Sequence, residues 1–268
     1  MNGGTELMES PPVLFEARDH IAWITLNRPE ALNAINPPLG GALTDVMHRF
    51  RDDPDLWVAI LTGAGDRAFS AGADLKWRAS HEAEIREPRR SGARPSFHWP
   101  EVRCWKPIIA AVNGYAVGGG LELALACDLI IAAEHAKFGL PEPRRGLMAD
   151  GGGIQRLTRH IPWKVAMGLI LTGRFIDAAE AHRIGLINDV VPKAELLAAA
   201  ESWAGQILEC SPLAVQASKQ AAIEGAGWPL EVAMSRNYSL HQQLRQSEDF
   251  VEGPRAFAEK RKPEWRGR

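Results

Sequence analysis

Cysteine is scarce in this chain: 268 residues hold three, Cys104, Cys127 and Cys210, an odd number without C-x-x-C spacing. A chain of this length needs no disulfide staples, so a reducing cytoplasm and ordinary thiols are expected. An excess of either charge is also missing, because 31 Lys and Arg stand against 33 Asp and Glu for a net charge of −2. No general positive field gathers nucleic acid or an anionic membrane, and any anion must be bound by a local patch. No stretch approaches the roughly 18 apolar residues of a membrane span. The opening MNGGTELMESPP has neither a basic nor an apolar leader segment, so neither targeting nor anchoring is expected. Repeats and low-complexity tracts are absent as well. What is there, 46% hydrophobic and 24% charged residues, suffices to bury one large core or two modest ones.

The residues from Val13 to Leu26 read as a hairpin, since VLFEA and IAWITL are rich in β-branched and aromatic residues. Asn36 before Pro37 and Pro38 is a plausible helix cap, and Leu39, Leu43, Val46, Met47 and Phe50 then recur at helical spacing up to Asp53-Pro54. Short apolar runs at 57–62, 107–112 and 128–133 have the bounded character of buried strands. Strands and helices therefore alternate as far as about residue 195. Beyond it the patterns are helical only, so the chain divides into an α/β core over 1–195 and a helical part over 196–268. The polar, Arg-rich segment from His81 to Pro100 is expected to be a mobile surface loop.

Two turns rich in small residues follow strand runs. WVAILT leads into GAGDRAFSAGADL, and PIIAAV leads into NGYAVGGGLELALACD, where Gly118, Gly119 and Gly120 open an apolar helical run. Small residues let a ligand approach backbone N–H groups, and a helix start offers unpaired donors and the positive end of a dipole. Two donors from separate turns are what holding a thioester oxygen as it becomes an enolate requires. Close packing explains either turn alone equally well. Glu122 lies in the otherwise apolar LELALA, where an uncompensated charge is costly to bury. Glu142 sits between Pro141 and Pro143, whose rings restrict it to an extended backbone and a fixed place. Two such carboxyl groups in a dry pocket can divide into general acid and general base. Taken singly, a helix-start carboxylate and a surface loop charge account for them.

NRPEALNAI (Asn27 to Ile35), AFSAGADL (Ala68 to Leu75), NGYAVGGGLELALACD (Asn113 to Asp128), FGLPE (Phe138 to Glu142) and GGGIQRL (Gly151 to Leu157) resemble, in order, the motifs of the enoyl-CoA hydratase (crotonase) superfamily. The resemblance spans almost the whole chain. It implies a spiral of strand-strand-helix repeats followed by helices that assemble the protein into trimers or pairs of trimers. It places the catalytic glutamates on Glu122 and Glu142 and the oxyanion donors on the amides of Ala73 and Gly119. Ala71, Ala73, Asp74, Leu75 and Lys76 match the stretch lining the acyl-CoA site, and Arg28, Ala31 and Leu32 a loop touching CoA. FAEKRKPEWRGR resembles the family's last helix, with Lys260 at the position of a lysine that reaches a CoA phosphate. Neither metal nor redox cofactor is implied, coenzyme A being part of the substrate.

The implied reaction is reversible addition of water to a 2-enoyl-CoA, with carnitinyl-CoA dehydration second and enoyl-CoA isomerisation as a further alternative. Asp150 motivates the second reading. The turn Ala149-Asp150-Gly151-Gly152-Gly153 and the chain's ending look similar to carnitinyl-CoA dehydratases, and a carboxylate beside a trimethylammonium group is electrostatically sensible. Capping of the following helix is the more ordinary role for Asp150. Acyl specificity is expected from the segment His81 to Pro100, from Leu140 and from the turn Leu147 to Asp150. Two rivals fail on context. GAGDRA fits a dinucleotide fingerprint, but FSAGAD rather than an amphipathic helix follows it. AFSAG lacks the first glycine of a serine-hydrolase elbow.

Overall fold

A computed structural model of the chain describes residues 10–81 and 103–268. The segment expected as a loop lies, apart from His81, outside the described residues. Strands β1 (Val13–Arg18) and β2 (Ile21–Leu26) form the hairpin, turning through Asp19 and His20, both at positive φ, as two-residue hairpin turns require. Helix α1 (Pro37–Asp52) starts where the Asn36 side chain accepts a 3.1 Å hydrogen bond from the Leu39 amide. There follow β3 (Val58–Gly63), β4 (Ala68–Ser70), α2 (Leu75–Ser80), β5 (Ile108–Val112), β6 (Tyr115–Val117) and α3 (Gly119–Ala126). The core continues with β7 (Leu129–Ala133), β8 (Lys137–Gly139), α4 (Gly153–His160), α5 (Trp163–Thr172), β9 (Phe175–Asp177), α6 (Ala178–Arg183) and β10 (Asp189–Val191). Helices α7 (Leu196–Leu208), α8 (Pro212–Gly225), α9 (Leu230–Ser235), α10 (Ser239–Arg245) and α11 (Glu248–Ala258) complete it.

The strands form two sheets. One runs β1-β2-β3-β5-β7-β10, parallel except for the hairpin; the other runs β4-β6-β8-β9, parallel except for its last pair. Each long strand β3, β5 and β7 is followed by a short strand of the smaller sheet, so the chain winds through both in strand-strand repeats, the first two closed by α2 and α3. This is the expected spiral. Both faces of the larger sheet are covered, which is why its strands read as continuous apolar runs. Ala59, Leu61, Ala110 and Val112 face α1 and the main core, while Val58, Ile60, Ile109 and Ala111 face the other way. That second face packs against Leu196, Ala200 and Ala204, one stripe of α7. Packing thus continues across residue 195, and Trp203 is half-buried on the same face. Trp228 is exposed.

The wound topology sets β4, β6 and β8 side by side and parallel. Their carboxyl ends are therefore neighbours. The three segments that leave those ends are Gly72-Ala73, Gly118-Gly119 and Pro141-Glu142, which brings residues about 70 positions apart in sequence to one place, as parallel sheets do with ligand sites.

Candidate active site

A cleft of about 260 Å³ opens at these strand ends, lined among others by Ala71, Ala73, Leu75, Gly118, Gly119, Glu122, Glu142 and Asp150. Apolar side chains line it too, among them Leu43 and Met47 from α1 and Leu123 from α3. Gly119 is the first residue of α3, so its N–H has no partner within the helix. Among the described residues no acceptor is found for the Gly119 or the Ala73 amide. The two are adjacent: a Cβ placed on Gly119 would lie 3.5 Å from the Ala73 nitrogen. Gly72, at φ +82°, is packed so closely that a Cβ there would come within 2.7 Å of the Gly119 nitrogen, so only glycine permits this juxtaposition.

Glu122 stands one turn into α3, and its Oε1 accepts a 2.9 Å hydrogen bond from the Gly153 amide at the start of α4. The Arg156 guanidinium lies close enough for Glu122 to stabilise its charge, while donating to the Gly151 carbonyl at 3.3 Å. Glu142 is differently placed. Its Oε2 is buried with no hydrogen-bond partner among the described residues, and Oε1 lies where a Cβ on Gly118 would approach to 2.9 Å. Burial pushes its carboxyl up to about 7. Its own backbone hydrogen bond and Arg145 oppose that rise, and the charges of Glu122 and Asp150 add to it. A carboxyl that burial makes hard to ionise thus sits beside a second one held by a backbone hydrogen bond, a difference of environment that can divide acid from base work.

Other expected residues fall elsewhere. Glu142 begins a 3-10 turn, Glu142–Arg145, and is not extended: Pro143 occupies the second position of that turn, where a missing N–H loses nothing. Asp150 caps no helix. The residue before α4 is Gly152 at φ +101°, without a side-chain cap, and Asp150 is exposed on the cleft. Leu140 is buried behind the cleft wall, where a Cβ on Gly153 would meet its side chain at 3.2 Å. Asp74 caps α2 and pairs with Arg28 at 3.1 Å. Burial opposes the Asp74 charge, yet hydrogen bonds from the Trp77 amide and Arg28 hold its carboxyl below the usual range. Lys76 is exposed on α2, outside the cleft lining.

Ala31 ends a short turn, Pro29–Ala31, and Leu32, at φ 53°, lines a separate depression with Glu30, Gly65 and Arg67. Lys260 follows α11 at positive φ and is not part of the cleft lining. Ser70 is fully buried, donating to the Asn33 carbonyl at 2.8 Å, which removes the hydrolase rival. Asn33 itself escaped notice in the sequence. Its buried side chain donates to Ala64 and Ala68 carbonyls and accepts from the Arg28 amide, tying the first motif to the oxyanion-side turn. Arg156 and Arg145 were also missed, although each lies within or beside a quoted motif.

The family model for enoyl-CoA hydratase/isomerase matches residues 16–268. The chain belongs to this enoyl-CoA hydratase/isomerase family. It is 47% identical over 256 residues to an (E)-benzylidenesuccinyl-CoA hydratase of Thauera aromatica, covering 96% of this chain and 99% of that one. It is 42% identical over 259 residues to a carnitinyl-CoA dehydratase of Proteus mirabilis, covering 94% and 97%. Among solved structures, an enoyl-CoA hydratase from Mycobacterium marinum superposes with a TM-score of 0.87 at 44% identity, covering 97% of this chain and all of that one. An enoyl-CoA hydratase from Bacillus anthracis does so with a TM-score of 0.86 at 35% identity over 96% of this chain. Among the described residues no helix is long and apolar enough to cross a membrane, and no group of metal-ligating side chains occurs.

Proposed function

We propose that this family member is a 2-enoyl-CoA hydratase. The observation that carries the reading is the cleft itself, where two backbone amides without an acceptor among the described residues and two glutamates of different environment converge. The Ala73 and Gly119 amides take the thioester oxygen, so charge developing as water adds at Cβ is delocalised onto a held atom. Glu122 positions and deprotonates the water, and Glu142, the carboxyl that burial keeps near neutrality, supplies the α-proton. Held amides and carboxyl groups supply each step, so the reaction as written calls for no metal or redox cofactor; CoA arrives with the substrate. Arg28, Ala31, Leu32, Lys76 and Lys260 are assigned to CoA contacts. Glu122→Gln and Glu142→Gln should each lower crotonyl-CoA hydration about 10² to 10⁴-fold. Wild-type rates in both would overturn the reading, and a need for Glu142 alone would point to isomerisation.

Asp150 on the cleft surface favours the second reading, dehydration of carnitinyl-CoA. Kinetics of crotonyl-CoA against crotonobetainyl-CoA, on wild type and Asp150→Gly, separate the two. A preference for the betaine ester that the substitution abolishes would make the dehydratase reading the right one. Assembly into trimers or pairs of trimers is assigned to the helical part, which leaves Leu230, Met234 and Phe257 exposed. A stable active monomer in sedimentation would refute that. A cytoplasmic setting suits three cysteines that remain free thiols.

A further inference from the structure

The cleft carries charge that the water chemistry does not use. Arg145 and Arg78 line it together with Leu43, Met47 and Met148. Arg145 ends the 3-10 turn that Glu142 begins, close enough for its charge to act on the Glu142 carboxyl. Such proximity to the proton-transferring group places Arg145 at the acyl end of a bound thioester rather than at the CoA phosphates. Arg78 is half-buried on α2, the helix that begins two residues after Ala73. Other arginines nearby have acidic neighbours: Arg28 pairs with Asp74, and Arg156 lies beside Glu122. Among the described residues neither Arg78 nor Arg145 pairs with a carboxylate, and the Arg145 side chain makes only a long 3.5 Å bond to the Pro141 carbonyl. A purely alkyl chain seated here would strip water from two guanidinium groups and return nothing to them. A carboxylate on the acyl group is the partner that the guanidinium fork matches in geometry and charge. Of the three acids that line the cleft, Glu122 lies beside Arg156 and Glu142 beside Arg145, which leaves Asp150 as the acid facing the acyl group together with the two arginines.

We infer that the acyl group of the substrate carries a free carboxylate held by Arg145 and Arg78, so that the preferred ester is the CoA monothioester of an unsaturated dicarboxylic acid. This rests on the hydratase reading and opposes the cationic acyl group that Asp150 alone would suggest. The test compares kcat/KM for glutaconyl-CoA, crotonyl-CoA and crotonobetainyl-CoA on wild type, Arg78→Gln and Arg145→Gln. Wild type should prefer the dicarboxylate ester over crotonyl-CoA by about 10²-fold, the scale of a desolvated charge pair. Each glutamine variant should shrink that ratio about tenfold or more, and Arg→Lys at the same positions should restore part of it. A wild-type preference for crotonyl-CoA or the betaine ester would overturn the inference. So would an equal fall for all three esters, which would put the arginines on the CoA phosphates. Hydration of crotonyl-CoA without a carboxylate preference sinks this inference alone, whereas hydration of no ester sinks the hydratase reading beneath it.

Discussion

The Gly153 amide holds Glu122 Oε1 at 2.9 Å, so the start of α4 fixes a carboxylate carried by α3. A Cβ on Gly153 would lie 2.9 Å from Glu122 Cγ, and one on Gly151 would lie 2.7 Å from Oε2. Both clashes fall on a side chain, so the fold can yield by displacing the carboxylate. Gly151→Ala and Gly153→Ala are therefore expected to lower kcat about 10² -fold, as a misplacement near 1 Å does, with KM and unfolding temperature little changed. Steady-state kinetics beside a thermal melt check this. Wild-type kcat in both variants would mean that Glu122 does not depend on this position.

The Gly119 amide can be removed with little other disturbance. As the first residue of α3 it occupies the helical position that tolerates proline best, and proline has no N–H. Gly119→Pro should keep the circular dichroism of the folded protein and reduce kcat about 10² to 10³-fold, the usual effect of losing one oxyanion donor. Retained activity would leave the thioester oxygen to other donors.

Much of this architecture was legible before any coordinates. The hairpin, the capped first helix and the runs that became β3, β5 and β7 have length and apolar character enough to announce themselves, because both sheet faces bury them. The smaller sheet was not legible. Its strands β4, β6, β8 and β9 have three residues each, too few to show a period, and their pairing depends on how the long strands wind. Glu122 and Glu142 stood out by their settings but were assigned roles only through the family resemblance, and the backbone of Glu142 was misread, since a proline on either side also fits a 3-10 turn. Asp150 was misassigned for a similar reason: Gly152 at positive φ takes the position before α4. The support of Glu122 by Gly153 and Arg156 is long-range, and local spacing carries no sign of it.

The end of the chain is fastened by one buried acid. Asp249 on α11 is 3% exposed and accepts hydrogen bonds from the Ser211 hydroxyl at 2.8 Å and from the Arg266 amide at 2.8 Å. The Gly267 amide also donates to it, at 3.2 Å. Asp249→Ala should strand these donors and destabilise the protein by about 3 kcal/mol, since charged hydrogen bonds and orphaned buried donors each weigh 1 to 3 kcal/mol. Urea unfolding measures the loss. An unchanged midpoint would mean that these bonds to Asp249 contribute nothing to the folded state.

Glu142 links stability and activity to pH with a definite sign. Its carboxyl is pushed from 4.5 to about 7 in the folded chain, first by burial. The native state therefore binds this proton more tightly than the unfolded state does. Its contribution to stability is fully present below pH about 4.5 and is lost as pH rises through about 7. Glutamine has no such proton, so the melting temperature of Glu142→Gln relative to wild type should rise between about pH 5 and pH 8. Catalysis reads the same group. Hydration needs the protonated acid and should show kcat/KM falling as pH rises through about 7, while the reverse dehydration needs the carboxylate and should rise over the same interval. The Glu122 charge adds to the rise at Glu142 that burial begins. Flat profiles in both directions from about pH 6 to pH 8 would remove Glu142 as the proton donor and leave its burial without a catalytic purpose.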